Sequence, residues 1–220
     1  MDTSPIVAVA SSADDLEAVC ELLSALPAEY SAAFIIVVQH LNSGREKLLA
    51  EALARRTILP VMHVHDGMVA EQGHVYLIPA NATLTMTGRR IRVTPNASKL
   101  HHPGDILFTS LAQERDASAI GVVLSGEGSD GALGVRAIKQ GGGTTFAQYP
   151  GSARFPGMPI NAIETGCVGF VLRPNEIARE LTRLSRHAAP IASVARSVLV
   201  IDDKAGLRRV DGAAGALLRP

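Results

Sequence analysis

Three apolar runs of this chain each end in a side chain able to do chemistry. Ser11 and Ser12 follow "IVAVA", His40 closes "AAFIIVVQH", and Asp130 lies in "VVLSGEGSDGALG", a carboxylate set among glycines and small polar residues. A hydroxyl, an imidazole and a carboxylate together can hydrolyse an acyl bond. The hydroxyl is too weakly acidic to attack a carbonyl unaided, the imidazole takes its proton, and the carboxylate fixes the imidazole tautomer and stabilises its cation. Such trios arise by chance in many chains, so residue type alone decides nothing, and this reading leaves Ser11 and Ser12 equal. The order Ser, His, Asp is neutral because unrelated triads differ in order. The absence of G-x-S-x-G counts against an α/β-hydrolase nucleophile elbow.

Positioning these groups requires strands that end side by side. "IVAVAS" (6–11) reads as a buried strand, and "SADDLEAVCELLSALP" carries Leu16, Val19, Leu22 and Leu23 at helical spacing. "AAFIIVVQH" repeats the strand pattern and leads into the amphipathic "SGREKLLAEALARR", with Ser43 or Gly44 near its start. Between residues 60 and 94 the texture changes. "VMHVHDG", "HVYLIPA", "TLTMTG" and "RRIRVTP" are short segments between turn residues and predict an antiparallel hairpin region. Then follow a helix in "GDILFTSLAQE", a strand in "AIGVVLSG", a helix in "DGALGVRAIKQGG" closed by Gly141, a strand in "TTFAQ" and a last helix in "PNEIARELTRLSRH". The alternation predicts an α/β fold: a doubly wound, mostly parallel sheet with an antiparallel hairpin insertion. In such sheets ligands bind beyond the carboxyl ends of the strands, where Ser11 or Ser12, His40 and Asp130 fall.

Composition narrows the function classes. Lys plus Arg and Asp plus Glu number 21 each and aromatic residues make up 4%, so neither the basic field nor the stacking platform of a nucleic-acid binder is present. No run reaches the ~18 apolar residues of a membrane span, and "MDTSPIVAVASS" lacks a basic flank, which predicts a cytoplasmic protein without direct membrane insertion. Cys20 and Cys167 carry no metal or redox spacing and read as small buried hydrophobes. His63 with His65 reads as strand-edge alternation rather than a metal pair, and Arg89, Arg90 and Arg92 as a solvated hairpin edge. No metal or cofactor is expected. In the tail, "VLVIDDKAGLRRV" has the strand, acid pair and helix order that opens a receiver domain, but the chain ends too soon to supply a phosphorylatable aspartate. The expected division is 1–188 for the catalytic unit and 189–220 for an appended, receiver-like tail.

"VASSADDLEAV", "IIVVQHL", "HDGMVAEQGHVYLIPAN", "DILFTSLA", "GVVLSGEGSDGALGVRAIKQGG" and "FPGMPINAI" follow one another in an order and spacing that resemble the CheB-type chemotaxis protein-glutamate methylesterase catalytic domain. The resemblance runs from about residue 6 to 186. It implies a serine hydrolase that removes methyl esters from glutamate side chains on the cytoplasmic helices of methyl-accepting chemoreceptors, and that deamidates glutamine there. Counting back from "LEAV", it places the nucleophile on Ser12, the base on His40 and the orienting acid on Asp130. It also implies an oxyanion and substrate loop at Ala13, Glu127 and Met158, with the Glu127 N–H as a donor to the tetrahedral intermediate.

The chain departs from the family at three points. After the serine come Ala13, Asp14 and Asp15 where the family has a small residue and two glycines, and Glu127 stands where methionine is common. Acids at a helix start satisfy free N–H groups and stabilise by about 1 kcal/mol. A like charge about 7 Å from a developing oxyanion costs roughly 2 kcal/mol at an effective dielectric near 20, on the order of a 30-fold loss of rate. The competing reading is therefore a catalytically impaired, CheB-like binding or regulatory module. A third reading, "SGEGSDG" as a phosphate loop, lacks the P-loop lysine and would set Glu127 and Asp130 against the phosphate. The chain begins just before its first strand, so no N-terminal receiver is expected, and the site should be constitutively accessible or partner-controlled.

Overall fold

A computed structural model describes residues 4–39, 44–95, 102–115, 118–186, 198–202 and 206–210. In chain order the elements are β1 (Ile6–Ser12), α1 (Glu17–Ser24), β2 (Ala33–Gln39), α2 (Glu46–Ala54), β3 (Val61–His63), β4 (Val75–Leu77), β5 (Ala82–Thr87) and β6 (Arg90–Pro95). They continue with α3 (Pro103–Arg115), β7 (Ala119–Val123), α4 (Ala132–Gln140), β8 (Thr144–Gln148), α5 (Gly157–Glu164), β9 (Phe170–Leu172), α6 (Pro174–Arg186), β10 (Val198–Asp202) and β11 (Gly206–Val210).

β1 is buried along its whole length, and its side chains divide between two cores. Ile6, Ala8 and Ala10 join one apolar cluster with residues of α3, α4 and α5, while Val7 and Val9 join another with α1, α2 and α6. That division follows from the period of two along a strand, and a strand covered on both faces needs the unbroken apolar run seen in the sequence. Among the described residues, nine strands form one sheet in the order β11-β10-β9-β8-β7-β1-β2-β4-β3, and β5 with β6 forms a separate antiparallel pair. Every pairing in the large sheet is parallel except that of β10 with β11. β1 lies between β2 and β7, where the winding reverses, so the end of β1 is the place where this fold class binds ligands.

The expected antiparallel region is smaller than the sequence suggests. Within residues 60–95, β5 and β6 form the hairpin, while β3 and β4 run parallel to each other and β4 pairs parallel with β2. The connection between β3 and β4 is what pairs antiparallel with the hairpin, through Ile91 N–H to Met68 O (2.7 Å), Ala70 N–H to Arg89 O (2.8 Å) and the Val69–Arg90 bridge. Arg90 and Arg92 are exposed as expected. Arg89 is half-buried instead, with Nε donating to Ala70 O at 2.7 Å and Nη1 to Ser4 O at 3.2 Å, because the fold brings two backbone carbonyls to it. Cys20 is buried, and Cys167 only half-buried.

In the tail, residues 206–210 form a strand, not the expected helix. β10 extends the sheet beside β9 and β11 turns back along it, an arrangement that five residues can complete and a helix of that length cannot.

Candidate active site

Ser12 is the last residue of β1. It shares a strand face with Ala10, the side covered by α3, α4 and α5, while Ser11 faces the other way and donates its hydroxyl to Ser125 O at 3.3 Å. The Ser12 N–H donates to Ser125 O at 3.1 Å, tying the end of β1 to the loop after β7. That loop is held by buried Gln148, whose Oε1 accepts the Ser125 N–H (2.9 Å) while its Nε2 donates to Ser152 O (3.0 Å). Gly126 answers for the small residues of "SGEGSDG". A Cβ there would run into Met158 Sδ and come within 3.0 Å of the Ser12 Cβ. Met158 N–H in turn donates to Gly126 O at 2.7 Å, so Ser12, Gly126 and Met158 form one packed unit.

Asp130 is 1% exposed. Its Oδ2 accepts the Gly104 N–H at 3.0 Å and its Oδ1 the Asp105 N–H at 2.9 Å, so it satisfies two of the free donors at the start of α3. Gly104 is needed for that approach, since a Cβ would meet Ala10 Cβ at 2.9 Å and Asp130 Oδ2 at 3.0 Å. Ala10 lies two residues before Ser12 on the same face, which sets the Asp130 carboxylate and the Ser12 side chain over one side of β1. Burial, the largest influence, pushes the Asp130 carboxyl above the ordinary carboxylate range, against the pull of the two N–H groups.

A second acid lies beside it. Asp105, also buried, accepts the Gly134 N–H at 2.8 Å through Oδ1, and burial raises its carboxyl as well. His102 Nδ1 lies 3.8 Å from Asp105 Oδ2 and 3.9 Å from Asp130 Oδ1. The ligand atoms of His102, Asp105 and Asp130 fall within 4.8 Å of one another, the arrangement among the described residues nearest to a cation site, and His63 and His65 take no part in it. Three of the four carboxylate oxygens already accept backbone N–H groups, so the two acids serve the free donors at the starts of α3 and α4.

The remaining expected residues are placed as follows. His40 lies outside the described residues; β2 ends at Gln39, whose register partner is Ser12. Ala13 is half-buried in the turn after β1. Glu127 is exposed, and a Cβ on Gly157, the first residue of α5, would lie 3.1 Å from its Oε2. A carboxylate at a helix N-terminus is favourably placed, which accommodates an acid at this position. Asn161, not singled out in the sequence, donates to Gly128 O (2.8 Å) and Gly157 O (2.9 Å), joining this loop to α5.

Asp14 and Asp15 depart from expectation. α1 starts at Glu17, and its N-cap, Leu16, makes no side-chain cap bond, so neither acid caps the helix. Instead Ser12 Oγ donates to Asp14 Oδ2 at 3.2 Å and accepts the Asp14 N–H at 3.3 Å, while the Asp15 N–H donates to Ser12 O at 3.2 Å. The residues close a tight turn on the serine itself, and the Ser12 side chain within it has no exposed surface.

The family model described as CheB methylesterase matches residues 7–181. Among curated proteins the chain is 39% identical over 173 residues to an uncharacterized 104.1 kDa protein of Rhodobacter capsulatus, covering 74% of this chain and 18% of that one. It is 36% identical over 191 residues to a protein-glutamate methylesterase/protein-glutamine glutaminase of Paramagnetospirillum magneticum, covering 84% of this chain and 54% of that one. The chain thus spans about half the length, or less, of the curated relatives it matches. The crystal structure of the Thermotoga maritima CheB methylesterase catalytic domain superposes with a TM-score of 0.75 at 27% identity, covering 82% of this chain and 98% of that one. No helix among the described residues is long and apolar enough to cross a membrane.

Proposed function

The chain belongs to the CheB methylesterase family, and on that premise we propose that it is a serine hydrolase removing methyl esters from glutamate side chains of chemoreceptors. Glutamine deamidation on the same cytoplasmic helices is its companion reaction. Ser12 is the nucleophile, His40 the general base and Asp130 the acid that orients the imidazole. As Ser12 Oγ attacks the ester carbonyl, His40 takes its proton and the carbonyl oxygen becomes an oxyanion that accepts the Glu127 N–H in the loop formed with Ala13. His40 then protonates the departing methoxide, releasing methanol, and water hydrolyses the acyl-enzyme to glutamate. Met158, fully buried against Gly126, backs that loop. The catalytic unit in this reading spans 1–188, with 189–220 appended to it.

The observation that supports the reading most is the register of β1. Ser12 ends that strand opposite Gln39, the residue before His40, and on the face where Asp130 is anchored at α3. The test is methanol release from methylated receptor by the wild type, Ser12→Ala and His40→Gln, together with labelling by a serine-directed phosphonate and peptide mapping. Loss of release in both variants and label on Ser12 is the expected result. Equal release by Ser12→Ala overturns the assignment.

A second reading, a receptor-binding module with impaired turnover, is favoured by the covered Ser12 hydroxyl and its bond to Asp14. It predicts receptor co-sedimentation without hydrolysis.

A further inference from the structure

We propose that His102 is a positioning residue of this site: its ring, 3.8 Å from Asp105 Oδ2 and 3.9 Å from Asp130 Oδ1, is placed to balance two adjacent buried carboxylates with a positive charge and so keep Asp130 an anion. The inference rests on the proposed role of Asp130 and adds a residue to it. Two carboxylates in one poorly solvated place repel each other, and one of them readily takes up a proton unless a cation lies between them. Asp130 is 1% exposed and Asp105 8%, so water supplies little of that compensation. Backbone donors supply part: the Gly104 and Asp105 N–H groups to Asp130, and the Gly134 N–H to Asp105. These donors are neutral and fixed.

His102 supplies the charge. It precedes Pro103 at the start of α3 and is half exposed, facing both acids from the solvent side. Among the described residues, the charged groups that meet it are Asp105 from its own helix and Asp130 from the loop before α4. A protonated Asp130 is still a hydrogen-bond partner for α3, but it no longer stabilises a cationic imidazole, so the helix stays in place while catalysis slows.

The test compares the wild type with His102→Gln and His102→Arg. In carboxyl-carbon NMR titrations the Asp130 resonance should titrate at higher pH in His102→Gln and return toward the wild-type position in His102→Arg. This readout needs no turnover. In the methanol-release assay His102→Gln should lower kcat about fivefold, the size of one half-exposed charge interaction, with KM unchanged. His102→Arg should restore the rate, because arginine places a positive charge at the same position. Identical Asp130 titration in all three proteins overturns the inference and leaves the hydrolase reading untouched. A Ser12→Ala variant as active as the wild type overturns the hydrolase reading by itself, whatever the NMR titration shows.

Discussion

The Ser12 hydroxyl and the Asp14 carboxylate are hydrogen-bonded, Oγ to Oδ2, at 3.2 Å. A serine that gives its proton to a carboxylate two residues away does not present it to a general base, and the negative charge beside Oγ opposes an oxyanion forming there. Asp14 therefore acts against the chemistry proposed for Ser12. Replacing it with glycine removes both effects, and Asp14→Gly should raise kcat by roughly 10- to 30-fold with a smaller change in KM. Steady-state methanol release checks this, with Ser12→Ala in the Asp14→Gly background as the control. An unchanged or lower rate would show that the turn serves the active geometry.

Asp105 gives a pH-dependent test. Burial holds Asp105 and Asp130 above the usual carboxylate range, so the folded chain binds these protons more tightly than the unfolded chain. The sign follows: stability falls as pH rises from the ordinary carboxylate value of about 4 through the raised values. Asp105→Asn keeps an acceptor for the Gly134 N–H and removes one of the two charges. Urea unfolding should find it more stable than the wild type at neutral pH by about 1 kcal/mol, with the difference closing below about pH 4. A gain of equal size at acid and neutral pH would rule out this account.

Gln148 tests the scaffold under the serine. Its side chain is buried and satisfies the Ser125 N–H, and Ser125 O in turn holds the Ser12 N–H. Gln148→Leu fills similar space but strands a buried donor, and should destabilise by about 1–3 kcal/mol. Because the loosened residue is the one that fixes β1, kcat should fall even at temperatures where the variant is fully folded. Chemical denaturation and the esterase assay measured side by side separate the two effects.

Much of this architecture was legible because buried parallel strands write themselves as continuous apolar runs. "IVAVA", "FIIVV" and "AIGVV" became β1, β2 and β7, and their parallel pairing sets the carboxyl ends of these strands side by side. The direction of β3 and β4 was not legible, since short segments show strand character but not which distant edge they join. Asp14 was misread for a local reason: two acids before an apolar periodic segment look like helix caps, yet α1 begins only at Glu17. No role for His102 or Asp105 was legible, although "HHPGD" carries a proline suited to the first turn of a helix. The sequence signal announces where α3 starts. It does not announce that the acceptor for its free N–H groups is Asp130, 25 residues further along.

The bond from the Ser12 N–H to Ser125 O, and the packing of Met158 over Gly126, join segments made early and late in translation. A chain emerging from the ribosome carries its serine before the partners that fix it, which arrive only once β7 and α5 have followed. Fragments ending before residue 125 would therefore be chemically silent, and the activity proposed for Ser12 would arrive late, in one cooperative step, with the docking of the second half onto β1.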